Sequence, residues 1–404
     1  MERAVKTTWA VAAAFATFSL VASAQGPAPA AGAGPAAGAA PVQGRGRGAA
    51  PGGGGGRGGG RGRGMTPSAL RSIPAETLAA RFKDPNWKGP RLAWGHPDLE
   101  GTWTSDDMRG VPQQRNKAQM DRESLTPEEF LARASGDEAS RDGAVNQETF
   151  LRNEFGVRTF GYTSVVVEPK NGQMPAITTA AAARRKAEAG VGTFGTRPLN
   201  SFEDFTLYDR CITRGVGGIS PVLYGNGLLI AQTPNEVVIS YEMIHDTRVI
   251  PITTTRPKLD PRIQLWVGSA HGWFEGETLV VETTNFTDRT SIGGLHSDRL
   301  KLTERFTRID PQMIDYRMTV EDPETWVAPF TLRYTITQQP GYQLYEYSCH
   351  EGNTALGVGL SSERAVDREE AEARAKGIPY TRPIRGMDVY GGTTLKPRDV
   401  NTSK

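Results

Sequence analysis

The sequence contains few of the residues that build metal and nucleophile sites. Its 404 residues include two cysteines and five histidines. It has no His-Glu-x-x-His, no Cys-x-x-Cys and no Gly-x-Ser-x-Gly, which excludes common motifs of zinc sites and nucleophile elbows. One Gly-x-Gly-x-x-Gly occurs at 190–195, but it follows a predicted helix instead of joining a strand to a helix, so it predicts a loop.

The N-terminal apolar run is too short to cross a membrane. It extends from Trp9 to Val21, fewer than the ~20 residues that a spanning helix needs. Positive charge at Arg3 and Lys6 precedes it, and the small residues Ala22-Ser23-Ala24 follow it, which is the layout of a secretory signal peptide. We therefore expect residues 1–24 to be cleaved, leaving a periplasmic or secreted protein without a transmembrane helix.

Acidic residues are absent from residues 25–64, where alanine, proline and glycine are interrupted by five arginines. Such a composition buries almost nothing and predicts a disordered, cationic tether. Arginine-glycine segments that bind nucleic acid also use aromatic residues for stacking, and these are missing here. We expect no nucleic-acid partner, and either association with an anionic envelope surface or a merely solubilising role.

Beyond the tether, charges of both signs nearly cancel, with 47 Lys and Arg against 45 Asp and Glu in the whole chain. Nothing there indicates a polyanion-binding body. We divide the remainder into a mixed segment at 65–200 that wraps the core, a β core at 201–360, and a polar helix with a loop-rich tail at 361–404.

The two cysteines, Cys211 and Cys349, form an isolated pair in a chain that is expected to be exported. In an oxidising compartment such a pair usually forms a disulfide. The alternative is two free buried thiols.

Alternating apolar and polar residues dominate the region after residue 200. Apolar side chains occupy every second position over 314–320 and again over 330–336. This period of two predicts strands with one buried and one solvated face, and short connections make neighbouring strands antiparallel. The predicted fold is mainly β: an antiparallel meander closing into a barrel-like or strongly curved sheet, with a few peripheral helices.

Five sequence blocks stand out between about residues 98 and 355. They are Asp209-Arg210-Cys211, Met243-Ile244-His245-Asp246, Arg248-Val249-Ile250-Pro251, Trp273-Phe274-Glu275-Gly276-Glu277-Thr278-Leu279-Val280-Val281-Glu282-Thr283-Thr284-Asn285-Phe286 and Cys349-His350-Glu351-Gly352-Asn353. Together they resemble a family of uncharacterised exported bacterial proteins. This chain departs from the usual fourth block at Phe274 and Glu277, and the resemblance implies no particular activity. The fourth block is predicted to form a hairpin. This hairpin and the meander are also similar, at the level of fold only, to lipocalin-type barrels that hold small apolar ligands.

The scarce histidines include two candidates for acid–base chemistry. His245 continues the apolar face that precedes it, which predicts either a general base or polar contact in a pocket, or a buried histidine bonded to the backbone. His350 and Glu351 follow Cys349, so a disulfide would bring them near Asp209 and Arg210. That cluster is either an active site or an ion-pair network.

Glu304 lies between Leu302 and Phe306 on an otherwise apolar face. A carboxylate there must face a partner or a ligand, unless the strand is twisted and the side chain is wet. His245, His271, His350 and Glu351 have side chains of the metal-ligating type, but their spacing matches no metal motif. We therefore predict no cofactor, with a metal held by these residues as the minor alternative.

The leading hypothesis is an exported small-molecule-binding protein, because the alternating faces carry many aromatics and a few isolated polar groups. The expected pocket residues are Tyr241, Met243, His245, Trp273, Glu304, Phe306, Tyr316 and Tyr334. One alternative is an exported hydrolase or lyase that uses His245 or His350 with Glu304 or Glu351 as acid and base. Another is a structural protein of the envelope that has no pocket.

Overall fold

A ten-stranded antiparallel sheet forms the centre of this protein, seen in a computed structural model. The structure describes residues 72–73, 87–145, 156–188, 197–216, 220–222, 224–255, 259–289, 295–339, 342–383 and 397–398, which all belong to one compact unit, Gly62–Lys404. The predicted signal peptide and tether lie outside the described residues.

The strands and helices are numbered along the chain. The strands are β1 (Ser72–Ile73), β2 (Gly101–Thr104), β3 (Thr159–Phe160), β4 (Val166–Glu168), β5 (Gly227–Gln232), β6 (Glu236–Tyr241), β7 (Thr247–Pro251), β8 (Ser269–Glu275), β9 (Thr278–Thr284), β10 (Lys301–Asp310), β11 (Met313–Glu321), β12 (Phe330–Thr337), β13 (Arg382–Pro383) and β14 (Pro397–Arg398). The helices are α1 (Pro127–Val145), α2 (Thr179–Glu188) and α3 (Ala355–Ala375). The prediction of a mainly antiparallel β protein with a few helices is confirmed.

The sheet joins two meanders through a strand from the N-terminal segment. Its order is β7-β6-β5-β2-β12-β11-β10-β9-β8, with β4 also paired to β12. Strand β2 pairs with β5 over four residues and with β12 at one position, Thr337 opposite Thr104. The segment at 65–200 therefore supplies strands to the sheet in addition to wrapping it.

The sheet is strongly curved, as contacts between residues on distant strands across its inner face show. Arg248 on β7 and Glu304 on β10 lie six strand spacings apart in the sheet order, which is about 29 Å in a flat sheet. Their side chains are nevertheless hydrogen-bonded at 2.6 Å. The two edge strands also approach at one bridge, between Ile252 and Gly272. Among the described residues the ladder goes no further, so it stays open between β7 and β8.

The alternation predicted from the sequence determines which side chains are buried. On β11, Ile314, Tyr316, Met318 and Val320 are all buried in the core. The outer face is drier than the pattern indicates. Thr331 and Thr335 are buried there, because the N-terminal segment covers them. The Tyr162 hydroxyl, for example, lies 3.2 Å from the Thr335 hydroxyl.

The predicted disulfide is confirmed: Cys211 and Cys349 are bonded, with Cα atoms 5.8 Å apart. It ties the segment after β12 to the loop before β5. The C-terminal tail is held separately, because Arg382 forms ion pairs with Glu363 and with Asp367 of α3. Within the described residues, no helix has the length and hydropathy needed to span a membrane.

Asp106 is a buried carboxyl group just after β2, where the two meanders meet. Its Oδ1 accepts a hydrogen bond from Asn226 Nδ2 at 2.7 Å, and its Oδ2 accepts one from the Thr104 hydroxyl at 2.5 Å. Burial raises the pKa of Asp106 to about 6, although these hydrogen bonds and the charge of Arg109 lower it. Ionisation of Asp106 therefore costs the folded chain free energy at neutral pH.

We predict that Asp106→Asn stabilises the chain at neutral pH. The folded-state pKa of about 6 lies above the ordinary 3.8, so the unfolded chain releases this proton first as the pH rises. The wild-type free energy of unfolding should then fall relative to the variant between about pH 4 and pH 6, by roughly 2–3 kcal/mol in total, and stay level above. Urea titrations across this range measure the difference.

The exposed Asp288→Asn provides the matched control for Asp106→Asn. As a surface substitution, it should change the free energy of unfolding by no more than about 0.5 kcal/mol. A difference between Asp106→Asn and wild type that is the same at every pH would contradict the prediction.

Candidate functional site

A cavity of about 560 Å³ lies against the inner face of the sheet. Strands β11 and β12 form its wall through Met318, Val320, Phe330, Leu332 and Tyr334. Further apolar lining comes from Met174, Pro175, Ile177, Leu295, Leu300 and Trp326. The polar lining consists of Gln113, Gln114, Arg185, Ser220 and His296. Most lining residues are thus apolar, but polar and apolar atoms contribute about equally to the cavity surface.

The wall follows directly from the strand alternation. Met318 lies opposite Leu332 in the β11–β12 register, and Val320 lies opposite Phe330. Residues at every second position of paired strands share one face, so these side chains form a continuous patch. Because the patch is on the concave side of the sheet, it lines a cavity that is partly open to solvent.

Tyr334 and His296 are the buried polar groups of the cavity. Burial raises the pKa of Tyr334, partly offset by a hydrogen bond with Ser220, so the phenol is protonated at neutral pH and can donate a hydrogen bond. His296 Nδ1 lies 3.0 Å from the Ser297 carbonyl oxygen. The Asp322 carboxylate holds this segment by accepting hydrogen bonds from the Ser297 amide and hydroxyl at 2.6 and 2.7 Å.

The solvent side of the cavity is polar and positively charged. Gln113, Gln114 and Arg185 are exposed there. Helix α2, which carries Arg185, is anchored by Arg184 Nη2, which donates to the Thr325 hydroxyl at 3.0 Å. Arg185 is the one formally charged side chain among the described lining residues. A ligand with a polar or anionic end would meet complementary chemistry at this opening.

Of the eight pocket residues predicted from the sequence, Tyr334 lines the cavity. Phe306, Tyr316 and Tyr241 are on the inner face as predicted, but they are buried in the packed part of the core. Phe306 and Tyr316 contact each other with ring centroids 4.7 Å apart. The prediction did not anticipate that packing fills one part of the concave face and leaves space in another.

Glu304 has a partner in the core instead of a place in the cavity wall. The side chain is fully buried, and Arg248 donates to both of its oxygens, at 3.0 and 2.6 Å. The Tyr316 hydroxyl donates to Glu304 Oε1 at 2.9 Å. Burial lowers the pKa of Arg248, but the Glu304 carboxylate more than compensates, so the net shift is upward. This network satisfies both charges inside the sheet.

The predicted inward position of His245 is wrong, because β6 ends at Tyr241 and the alternation does not reach residue 245. The chain turns at Ile244 and His245, which both have positive φ, and His245 is exposed. Met243 is buried beside this turn, where its side chain packs against Gly225. Met243, Ile244 and His245 do not line the described cavity.

Trp273 is also outside the cavity. It lies opposite Val280 in the β8–β9 register, on the face away from Phe274 and Gly272. Its indole Nε1 donates to Glu275 Oε1 at 2.9 Å on the surface. The hairpin of β8 and β9 therefore turns Trp273 outward, and the neighbouring Phe274 packs toward the core instead.

His350 and Glu351 are exposed on the loop after the disulfide. His350 lies beside His245, with ring centroids 6.3 Å apart. Asp209 and Arg210 engage their own loop: Asp209 accepts hydrogen bonds from Thr206, and Arg210 lies over the Phe202 ring. The disulfide thus brings His350 to His245. The catalytic roles proposed for these residues stay predictions.

The sequence analysis missed most of the cavity. Met318, Val320 and Leu332 carry the same alternation signal as the predicted residues, so the inner-face pattern could have included them. Arg185 and His296 carry no such signal, because α2 and the loop before β10 reach the cavity only through tertiary packing. No group of three or more His, Cys, Asp or Glu side chains arranged for a metal occurs in the described part of the chain.

We predict that Glu304→Gln lowers the free energy of unfolding by roughly 3–5 kcal/mol, because it leaves the buried Arg248 charge uncompensated. Glu282→Gln is the matched control on the neighbouring strand, where Glu282 meets Lys301 at 3.5 Å near the surface. That change should cost no more than about 1 kcal/mol. Urea denaturation measures both, and similar losses in the two variants would contradict the prediction.

A double variant, Arg248→Met with Glu304→Leu, tests the same ion pair from the other side. It removes both charges, so it should recover much of the stability that Glu304→Gln loses. Recovery would show that the loss came from the uncompensated charge and not from the changed shape.

Comparison with protein-family models, with curated proteins and with solved structures finds no match to this chain. The resemblance to a family of exported bacterial proteins therefore stays a prediction. The function has to be inferred from the cavity, the buried network and the surface residues that the fold brings together.

Proposed function

We propose that this protein binds a small molecule with a mainly apolar body in the cavity on the inner face of β11 and β12. The observation that carries the proposal is the cavity itself, about 560 Å³ and lined by mostly apolar residues with several polar side chains among them. Ligand pockets in proteins fall in this size range and combine apolar walls with a few polar groups that fix orientation. Tyr334 and Arg185, together with the other polar lining residues, offer polar groups to a ligand here.

The proposed container is a barrel-like sheet. Curvature brings β7 and β8 together at the Ile252–Gly272 bridge, and the Thr253 amide donates to the Gly272 carbonyl at 2.9 Å. Gly272 allows this approach, since a Cβ there would lie 3.2 Å from both Ile250 and Ile252 side chains. In this proposal the side chains of the two edges seal the sheet, and the ligand enters past α2.

We place the protein outside the cytoplasm, in the periplasm or secreted. The Cys211–Cys349 disulfide supports this location, because disulfides persist in oxidising compartments. The signal-peptide layout at the N-terminus is the second support. Association with the envelope through the arginine-glycine tether is a further expectation, on which the described residues carry no information.

A hydrolase or lyase remains the alternative function, with fewer candidate residues for its acid–base pair. Glu304 is fully buried and bound to Arg248, whereas His245 and His350 are exposed. Glu304 therefore does not assist either histidine, and an acid–base pair would have to use Glu351 or the two imidazoles. The cavity proposal has the stronger support, because it needs no residue to move. The third hypothesis, an envelope structural protein without a pocket, gains no support from a cavity of this size.

We predict that filling the cavity abolishes binding of an apolar probe. N-phenyl-1-naphthylamine, an uncharged fluorophore, should bind the wild-type protein with a saturable rise in fluorescence. Leu332→Trp and Met318→Trp place an indole in the cavity and should weaken this binding about tenfold or more, which is at least 1.4 kcal/mol. Titration of the probe at fixed protein concentration measures the affinity.

Val249→Trp is the matched control for these variants, because Val249 is 54% exposed on β7 and distant from the cavity lining. It adds the same side chain and should leave probe binding unchanged. Circular dichroism verifies that each variant is folded. Wild-type affinity in both cavity variants, or equal loss in Val249→Trp, would overturn the proposed site.

A further inference from the structure

Two histidines from distant parts of the chain lie side by side on the surface, outside the cavity. The rings of His245 and His350 have centroids 6.3 Å apart and planes inclined at 41°. Both residues are exposed, so their ring nitrogens are accessible from solvent. With five histidines in 404 residues, an adjacent pair is a specific feature of the fold.

The segment that carries His350 is held in place from two directions. Cys349, the preceding residue, is bonded to Cys211. Two positions earlier, the Tyr347 hydroxyl lies 3.2 Å from the Tyr208 hydroxyl. Both partners belong to the loop before β5, so the position of His350 is fixed by covalent and polar contacts to one element.

His245 is positioned by a turn in an unfavourable backbone conformation. Ile244 has φ of 65° and His245 has φ of 47°. Histidine tolerates the left-handed region, but a β-branched residue there is an outlier. Ile244 is 2% exposed, so packing holds it in this conformation. Cys211 also has a positive φ, of 54°. Such strain clusters at functional sites.

We propose that His245 and His350 form a binding site for a divalent transition metal. Among the first-row divalent ions, Cu²⁺ should bind there most tightly. Imidazole suits Cu²⁺, Ni²⁺ and Zn²⁺, and Cu²⁺ has the highest affinity among first-row divalent ions. No third His, Cys, Asp or Glu completes a cluster with them in the part of the chain that the structure describes. Water molecules therefore occupy the remaining coordination positions.

The ring separation fits this assignment. A metal–nitrogen bond of about 2.0–2.1 Å puts each ring centroid a little over 3 Å from the ion. The observed 6.3 Å between centroids therefore spans two rings on nearly opposite sides of one ion. Exposed side chains can also rotate closer, and an approach of about 2 Å gives adjacent coordination positions.

In the experiment, the purified full-length protein is titrated with Cu²⁺. Calorimetry measures the binding, and electron paramagnetic resonance detects the coordinating nitrogen atoms. Wild type should bind one Cu²⁺ with nitrogen coordination. His245→Gln and His350→Gln should each weaken this binding about tenfold or more, because each removes one of two inner-sphere bonds. Both residues are exposed, so the variants should fold, and circular dichroism checks this.

His96→Gln is the matched control, because His96 stacks on Phe274 with centroids 4.3 Å apart, at a different place in the fold. It should bind Cu²⁺ as the wild type does. A Cys211→Ala and Cys349→Ala double variant should also lose affinity, because the disulfide positions His350. Wild-type Cu²⁺ affinity in either single histidine variant, or equal loss in His96→Gln, overturns the site. Undiminished affinity in the cysteine variant overturns the role of the disulfide.

Discussion

The constraint on which this structure depends is that a sheet with one apolar face must bury that face, and the other sheets among the described residues are two-stranded and too small to cover it. The ten strands therefore curl until the inner face packs against itself. The contact between Arg248 and Glu304, on strands six positions apart in the sheet order, is the clearest sign of this. Hydrophobic burial drives the curvature, and it also decides where space is left. A concave face that large side chains do not fill completely becomes a cavity.

Polar groups inside the curled sheet have two different arrangements. Glu304 is surrounded by donors, with Arg248 on both oxygens and Tyr316 on one, so it is satisfied without a ligand. Tyr334 and His296 border open space instead. The low dielectric of the interior makes an uncompensated charge very costly, whereas a neutral phenol such as that of Tyr334 is tolerated beside a cavity and can serve a ligand. This difference separates the structural network from the candidate binding site.

The pair of His245 and His350 is positioned by different contacts from those that form the cavity. The disulfide and the Tyr208–Tyr347 contact fix one loop against another, and the turn at Ile244 presents His245 to the same place. These constraints act at the rim of the sheet, where packing of the buried Ile244 holds the turn. The proposed ligand site inside the sheet and the proposed metal site at its rim use different residues of one scaffold.

The sequence by itself determined the strand faces and the disulfide, because a period of two and an isolated cysteine pair are local or pairwise signals. It also identified Glu304 as a carboxylate that needs a partner. Only the tertiary structure decided that Arg248 is this partner, that the open space lies beside Met318 and Leu332 instead of Phe306, and that His245 faces solvent. Alternation assigns a side chain to a face but not to a position along the curled sheet. Curvature, loop closure and packing volume depend on the whole chain at once.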